Sequence, residues 1–295
     1  MSSPRILHYV FKIGNRSETA RFYRDVLGMK ILRHEEFTEG CKAACNGPYD
    51  GTWSKSMVGY GPEDDHFVLE LTYNYGLGSY TQGNSYQGIN IESNSILDQA
   101  RKADWVVEKD GSRVFLSAPD GYKFYIQQSE KDSTVTGISL SCSNLDRSVT
   151  YWTDLCGMTL KEHNPGKNAV LQYAAGQAYL ELVQIEKAVD HASAGGRIAF
   201  SCPTQQLPEI ERKMKENEET ILTPLVRLDT PGKASVEVVI LADPDGHEIC
   251  FVGDEAFREL SQVDAKADSL LNEALAADKS NEWYAKKGKS KPSAS

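Results

Sequence analysis

Apolar and polar residues alternate along the chain in short runs, and the alternation keeps restarting. Positions 6–15 (ILHYVFKIGN) carry β-branched and aromatic residues at strand period and stop at Asn, which predicts a half-buried strand and a turn. A helical stretch follows and closes on FYRDVLGM at 22–29. The order then returns. Positions 135–144 (VTGISLSCSN) predict a strand, and 151–158 (YWTDLCGM) repeat the aromatic pair, the Asp, the apolar pair and Gly-Met 129 positions on. Ser17 and Asp146 are the predicted N-caps of the two helices. Gly28 and Gly157 stand where a C-cap glycine belongs.

Three further pairs keep the same order. They are VLEL at 68–71 over YLEL at 179–182, QGINI at 87–91 over GRIAF at 196–200, and PDGYKFYI at 119–126 over PDGHEICF at 244–251. In Pro-Asp-Gly, Pro presets φ and Gly supplies a positive φ, so each of the last pair is a turn into a strand. The shift falls from 129 to 111 between the first and second pairs, which puts an 18-residue insertion in the first half, between 37 and 57. Four matches in one order are the mark of duplication. The chain is predicted to be α+β, with four strand–helix–strands modules near 4–80, 84–130, 134–190 and 195–253. The modules group in sequence as two domains, 4–130 and 134–253. Beyond 254, Ala256, Leu260, Val263, Ala267, Leu270, Leu271, Ala274 and Leu275 recur at helical spacing. They predict an amphipathic C-terminal helix that packs on the body, or serves a protein partner, before a disordered basic tail to 295.

Composition narrows the function. A length of 295 residues suits two domains. The longest apolar runs, such as 236–242, are strand-sized, so no transmembrane segment is expected, and the first 15 residues lack the apolar block of a secretory signal. A net charge of −10 argues against nucleic acid, which needs a basic face. Six cysteines are too sparse for a disulfide scaffold and suggest an intracellular protein. Only Cys41 and Cys45 are close in sequence, a weak metal signal.

The stretches LHYVFKIGN, ARFYRDVLGMKILR, VGYGPEDDHFVLELTYNYG and DPDGHE together resemble glyoxalase I and the vicinal oxygen chelate superfamily. The resemblance implies βαβββ modules that pair edge to edge into curved sheets, each around a cleft. It implies a divalent metal, zinc or nickel, that holds a hemithioacetal of methylglyoxal and glutathione, acting as a Lewis acid while a carboxylate moves a proton. Cytoplasmic residence with mitochondrial association is a further implication.

The family's metal ligands lie on the first and last strands of each module. Carried over residue by residue, those positions are His8 and Glu70, Gly88 and Tyr125, Gly137 and Glu181, and Arg197 and Cys250. Which modules pair is not legible. If the first joins the fourth, one cleft holds His8, Glu70, Arg197 and Cys250 and the other holds Gly88, Tyr125, Gly137 and Glu181. No pairing supplies four good ligands. His8 and Glu70 are the candidate metal ligands, with Cys250 a third and Glu248, two residues away, a stand-in base. Gln87 substitutes for Gly88 only if a bulge re-aims it. His66 lies on the face of Glu70, yet reads as a strand cap. Glu181 and Arg197 would form an ion pair if their modules were neighbours. Lys12 and Asn74 fall where the family holds the γ-glutamyl end of glutathione, and with Glu181, Arg197 and Tyr125 they are the candidate ligand-binding residues. The expected function is therefore a small-molecule ligand, glutathione-derived, bound beside a degenerate metal site with weak or no activity. The alternative is a lactoylglutathione lyase with altered ligands. A dioxygenase of the superfamily would need two His and one carboxylate, and only His8 is in place.

Overall fold

The computed structural model describes residues 4–38, 49–228 and 235–294, so Cys41, Cys45 and part of the inserted segment lie outside the described residues. Four modules follow one another. The first is β1 (Arg5–Ile13), α1 (Arg16–Arg21), β2 (Lys30–Phe37), β3 (Trp53–Gly59) and β4 (Val68–Asn74). The second is β5 (Tyr86–Ser93), α2 (Ile96–Lys102), β6 (Glu108–Asp110), β7 (Arg113–Ser117) and β8 (Lys123–Gln128). The third is β9 (Thr134–Cys142), α3 (Leu145–Thr150), β10 (Thr159–Asn164), β11 (Asn168–Gln172) and β12 (Tyr179–Gln184). The fourth is β13 (Arg197–Cys202), α4 (Leu207–Glu216), β14 (Ile221–Leu228), β15 (Val236–Ala242) and β16 (Glu248–Gly253).

The caps of helices α1 and α3 lie two residues earlier than predicted. Asn15 Oδ1 accepts from the Glu18 amide at 3.2 Å, and Asn144 Oδ1 from the Arg147 amide at 3.1 Å. These bonds satisfy orphan amides of the first turn, so Asn15 and Asn144 are the caps and Ser17 and Asp146 are not. Both helices widen into a π-helical turn (Phe22–Val26 and Tyr151–Leu155) and stop at Gly28 and Gly157, with φ of +68° and +75°.

Two curved eight-stranded sheets result, in the orders β14-β15-β16-β13-β1-β4-β3-β2 and β10-β11-β12-β9-β5-β8-β7-β6. In every module the first strand runs parallel to the last. Modules join through antiparallel first strands, β1 with β13 and β5 with β9. The first module thus shares a sheet with the fourth, and the second with the third. The expected grouping 4–130 and 134–253 is corrected: its boundary falls between β8 and β9, inside one sheet. Successive modules meet instead through their apolar faces. Tyr9 stacks on Tyr86 at 5.8 Å, Phe11 meets Phe124 at 5.9 Å, and Trp152 meets Phe200 at 5.5 Å. On β1 this separates two duties. Tyr9, Phe11 and Ile13 are buried in the core, while His8, Val10 and Lys12 are half-buried on the concave face, the period-two alternation of a strand.

The predicted single C-terminal helix is three: α5 (Asp254–Leu260), α6 (Ala267–Ala277) and α7 (Ser280–Lys286). The break at 261–266 is where the Asp264 amide bonds the Leu32 carbonyl of β2 at 2.9 Å. Ala267 and Leu271 of α6 are buried in the core of this chain, while Val263 before it is exposed. The expected disordered tail is laid down as well. Ser79 and Ser293 form a β-bridge, and Lys291 Nζ donates to the Tyr73 hydroxyl at 2.6 Å. Among the described residues no helix is long and apolar enough to cross a membrane.

Candidate functional site

The first cleft lies on the concave face of the sheet shared by the first and fourth modules. A bulge in β1, where the register jumps from Ile6–Phe200 to His8–Ala199, re-aims the strand just before His8. Leu7, the extra residue, packs with Ala199 and Val252 against Phe257 of α5. His8 follows, with its ring 6.5 Å from Phe257. Helix α5 therefore covers one end of this face, and Lys12, Asn74, Arg197 and Glu248 lie toward the other.

His8 is held from behind. Its Nδ1 lies 2.5 Å from Oε1 of Glu63, a carboxylate with no solvent exposure. Arg33 donates to the other oxygen of Glu63 at 2.6 Å, and Arg5 donates to its backbone carbonyl. Burial alone would raise the Glu63 pKa. His8 and Arg33 outweigh it and bring the value down to about 2, since opposite charges and donated hydrogen bonds favour the ionised form. With Nδ1 engaged, His8 presents Nε2 to Glu70, 3.8 Å away.

The other two ligand positions of this cleft are of a different kind. Arg197 forms an ion pair with Glu248, its cross-strand neighbour. The Cys250 thiol is pushed up to about 11, first by burial and then by Glu248 and Glu70 against the opposing pull of Arg197, so it is protonated at neutral pH. Glu248 is thus engaged with Arg197 rather than waiting as a base. Lys12 Nζ donates to the Ser193 carbonyl at 3.0 Å, and its pKa is lowered, chiefly by burial. Asn74 donates to the Tyr80 hydroxyl at 2.7 Å. His66 bonds the Pro62 carbonyl at 3.2 Å, a loop contact consistent with its expected capping role.

The second cleft lies on the sheet shared by the second and third modules and encloses about 840 Å³. Gly88 and Gly137 occupy its first-strand ligand positions, and each lies under a tyrosine ring. A Cβ on Gly88 would sit 2.6 Å from the Tyr125 ring, and one on Gly137 2.4 Å from the Tyr179 ring. The rings fill the space into which ligating side chains would project. Gln87 is indeed at a bulge, but its amide is spent on Ser141 Oγ at 2.7 Å and on the Asn84 carbonyl. Glu181 accepts from Ser139 at 2.5 Å and from Asn168 at 2.6 Å. The expected Glu181–Arg197 pair is corrected, because the two residues belong to different sheets.

A divalent ion of the family type does not fit either set. The first cleft brings one imidazole and one carboxylate together and places a guanidinium at the third position. Attraction of that group to Glu248 would have to be broken and its repulsion of the ion overcome. The ligand positions of the second cleft offer one carboxylate, Glu181. Among the described residues no group of three or more His, Cys, Asp or Glu side chains converges to hold an ion.

Several contributors escape sequence reasoning. Glu63 sits in an acidic loop (PEDD, 62–65) that reads as solvated, and nothing local announces that it turns inward. Asn90 was within reach, since it shares the cleft face with Gly88 two residues away. Arg113 was not, because its reach over Tyr125 to Asn90 is a contact between strands that no local pattern announces.

Comparison with known proteins agrees with this architecture. Residues 5–124 match the model of the glyoxalase/bleomycin resistance protein/dioxygenase superfamily, and 144–260 match that of the glyoxalase domain-containing protein 4-like C-terminal domain. The chain is 58% identical to glyoxalase domain-containing protein 4 of Rattus norvegicus, over 99% of this chain and 100% of that one. It is 46% identical to a protein named glyoxalase 1 of Caenorhabditis elegans, over 95% and 99%. The crystal structure of glyoxalase I from Zea mays superposes with a TM-score of 0.70 over 88% of this chain and 95% of that one, at 24% identity, which speaks for the fold. Repeated modules, paired sheets, clefts and full-length similarity converge: the chain belongs to the glyoxalase domain-containing protein 4 family.

Proposed function

We propose that the chain uses its first cleft to hold a small anionic ligand of the glutathione-conjugate type, without a divalent ion and with weak or no lyase turnover. The observation that carries this reading is Arg197, a cation ion-paired to Glu248 at a position where the family holds a cation's ligand. Lys12 and Asn74 lie toward the same end. Lys12 adds a positive charge beside the Arg197–Glu248 pair, and Asn74 adds an amide that donates and accepts, a set suited to a carboxylate. An intracellular setting goes with the reading, since Cys142, Cys156 and Cys202 are buried and unpaired.

The test is calorimetric titration of the full chain with S-hexylglutathione, with and without chelator. Binding is expected to be indifferent to chelator and to weaken about tenfold in Lys12→Ala or Asn74→Ala, the loss of one hydrogen bond to a charged group. Binding abolished by chelator overturns the proposal.

A second reading, a metal-dependent lactoylglutathione lyase, draws on one arrangement. A carboxylate behind a histidine, as Glu63 stands behind His8, is the usual outer partner of a metal-bound imidazole, and Nε2 faces Glu70. Two side chains alone do not make the three-ligand set of a catalytic ion.

A further inference from the structure

We infer that the second cleft is a separate binding site for a small zwitterion whose ammonium and carboxylate lie several bonds apart, as in a short peptide. It shares no residue with the first cleft and goes beyond the reading given for that site.

Two opposite charges face this cavity and do not meet. Glu181 is half-buried and held only by the neutral donors Ser139 and Asn168. The Arg113 guanidinium lies 3.5 Å above the centre of the Tyr125 ring and donates to Asn90 Oδ1 at 2.6 Å. Among the described residues neither forms an ion pair. Between them runs a single polarised chain: Arg113 donates to Asn90, Asn90 to Ser139 Oγ at 2.9 Å, and Ser139 to Glu181. Every donor points from the cation toward the anion, so the chain stabilises both charges and keeps them apart.

A ligand of one sign gains from one of these groups and loses to the other. A zwitterion gains from both. The remaining charged residues that line the cavity, Lys161 and Glu162, are adjacent, exposed and opposite in sign, so they leave the balance unchanged. Three hydrogen bonds and an amide in series put the two charges on the order of 10 Å apart, which an extended peptide spans with about three residues. The volume suits a ligand of that size. Burial raises the pKa of Tyr179, so its ring stays neutral beside the cavity and offers an aromatic surface to the apolar middle of such a ligand.

The test is titration of the full chain with Gly-Leu-Gly, its N-acetyl form and its C-terminal amide, followed by calorimetry and by shifts of the tyrosine ring signals. The free tripeptide is expected to bind at least about tenfold tighter than either blocked form. Glu181→Gln should erase the penalty of acetylation alone, and Arg113→Gln that of amidation alone. Equal affinities for the three peptides, no binding of the free peptide, or discrimination that survives in the variants each overturn the proposal. If a variant does not fold, the three peptides on the parent chain decide it.

Discussion

Glu63 and His8, 55 positions apart in sequence, are joined by a 2.5 Å contact between a fully buried carboxylate oxygen and an imidazole nitrogen. The contact fixes which ring nitrogen faces the first cleft. It also makes the loop before β4 part of the site, because an ionised group without solvent has to be paired to remain charged.

That pairing has a stability consequence with a defined sign. The Glu63 pKa in the folded chain is about 2, against about 4.3 for an unperturbed Glu. A depressed carboxylate contributes stability that is complete above the unfolded value and is lost as pH falls through the folded one. Denaturant unfolding should therefore show the parent losing about 2 kcal/mol more than Glu63→Gln between pH 4.5 and 2. At pH 7, Glu63→Ala should cost about 3–5 kcal/mol, since it strands Arg33.

On the proposed reading Arg197 keeps an ion out of the first cleft, and replacing it tests that role. The double substitution Arg197→His with Cys250→Glu would add two donors to His8 and Glu70. Nickel titration should then show affinity at least about 100-fold above the parent, the effect expected when coordination is completed. Unchanged affinity would mean that cleft geometry, rather than the guanidinium, keeps the ion out.

The glycines of the second cleft are required by their tyrosines. Gly137→Ala places a Cβ about where the Tyr179 ring stands, so thermal unfolding should report a loss of about 1–3 kcal/mol from overpacking. In a Tyr179→Ala background the sign should reverse, because alanine in a strand is otherwise favoured over glycine by about 0.5–1 kcal/mol. Additive effects of the two substitutions would contradict the overlap.

Arg16 ties the C-terminal helices to the first module. It is buried and donates to Glu36 at 2.7 Å, to the Tyr75 hydroxyl at 2.9 Å and to the Ala274 carbonyl at 2.9 Å, with Asp278 at 3.4 Å. Its guanidinium sits over the rings of Tyr73 and Tyr75. Arg16→Met should lower stability by about 1–3 kcal/mol, because the Tyr75 hydroxyl and the Ala274 carbonyl lose a buried donor and Glu36 and Asp278 lose their shared cation. Proteolysis within 254–294 should rise with it, because those helices lose an anchor.

Module boundaries and the alternating faces of β1, β4 and β12 were legible because they follow from strand period and turn chemistry, which are local. The pairing of modules was not. A first strand such as β1 carries the same alternation whether its edge partner is β5 or β13, and what decides is the fit of Tyr9, Phe11 and Trp152 into a core assembled from distant segments. The candidate site inherited that gap. His8, Glu70, Arg197 and Cys250 were named as positions, but Glu63 and Arg113 enter only through tertiary contacts. The helix caps failed for a narrower reason: Asn15 and Ser17 both suit an N-cap, and propensity alone does not choose between them.

On the proposed reading the first cleft works without a divalent ion. The most direct test of that reading is elemental analysis of the full chain after saturation with zinc or nickel and desalting, paired with an assay of hemithioacetal turnover. Well under one ion per chain and weak turnover or none are expected. One tightly held ion per chain, lost in His8→Ala and in Glu70→Ala together with measurable turnover, would contradict it.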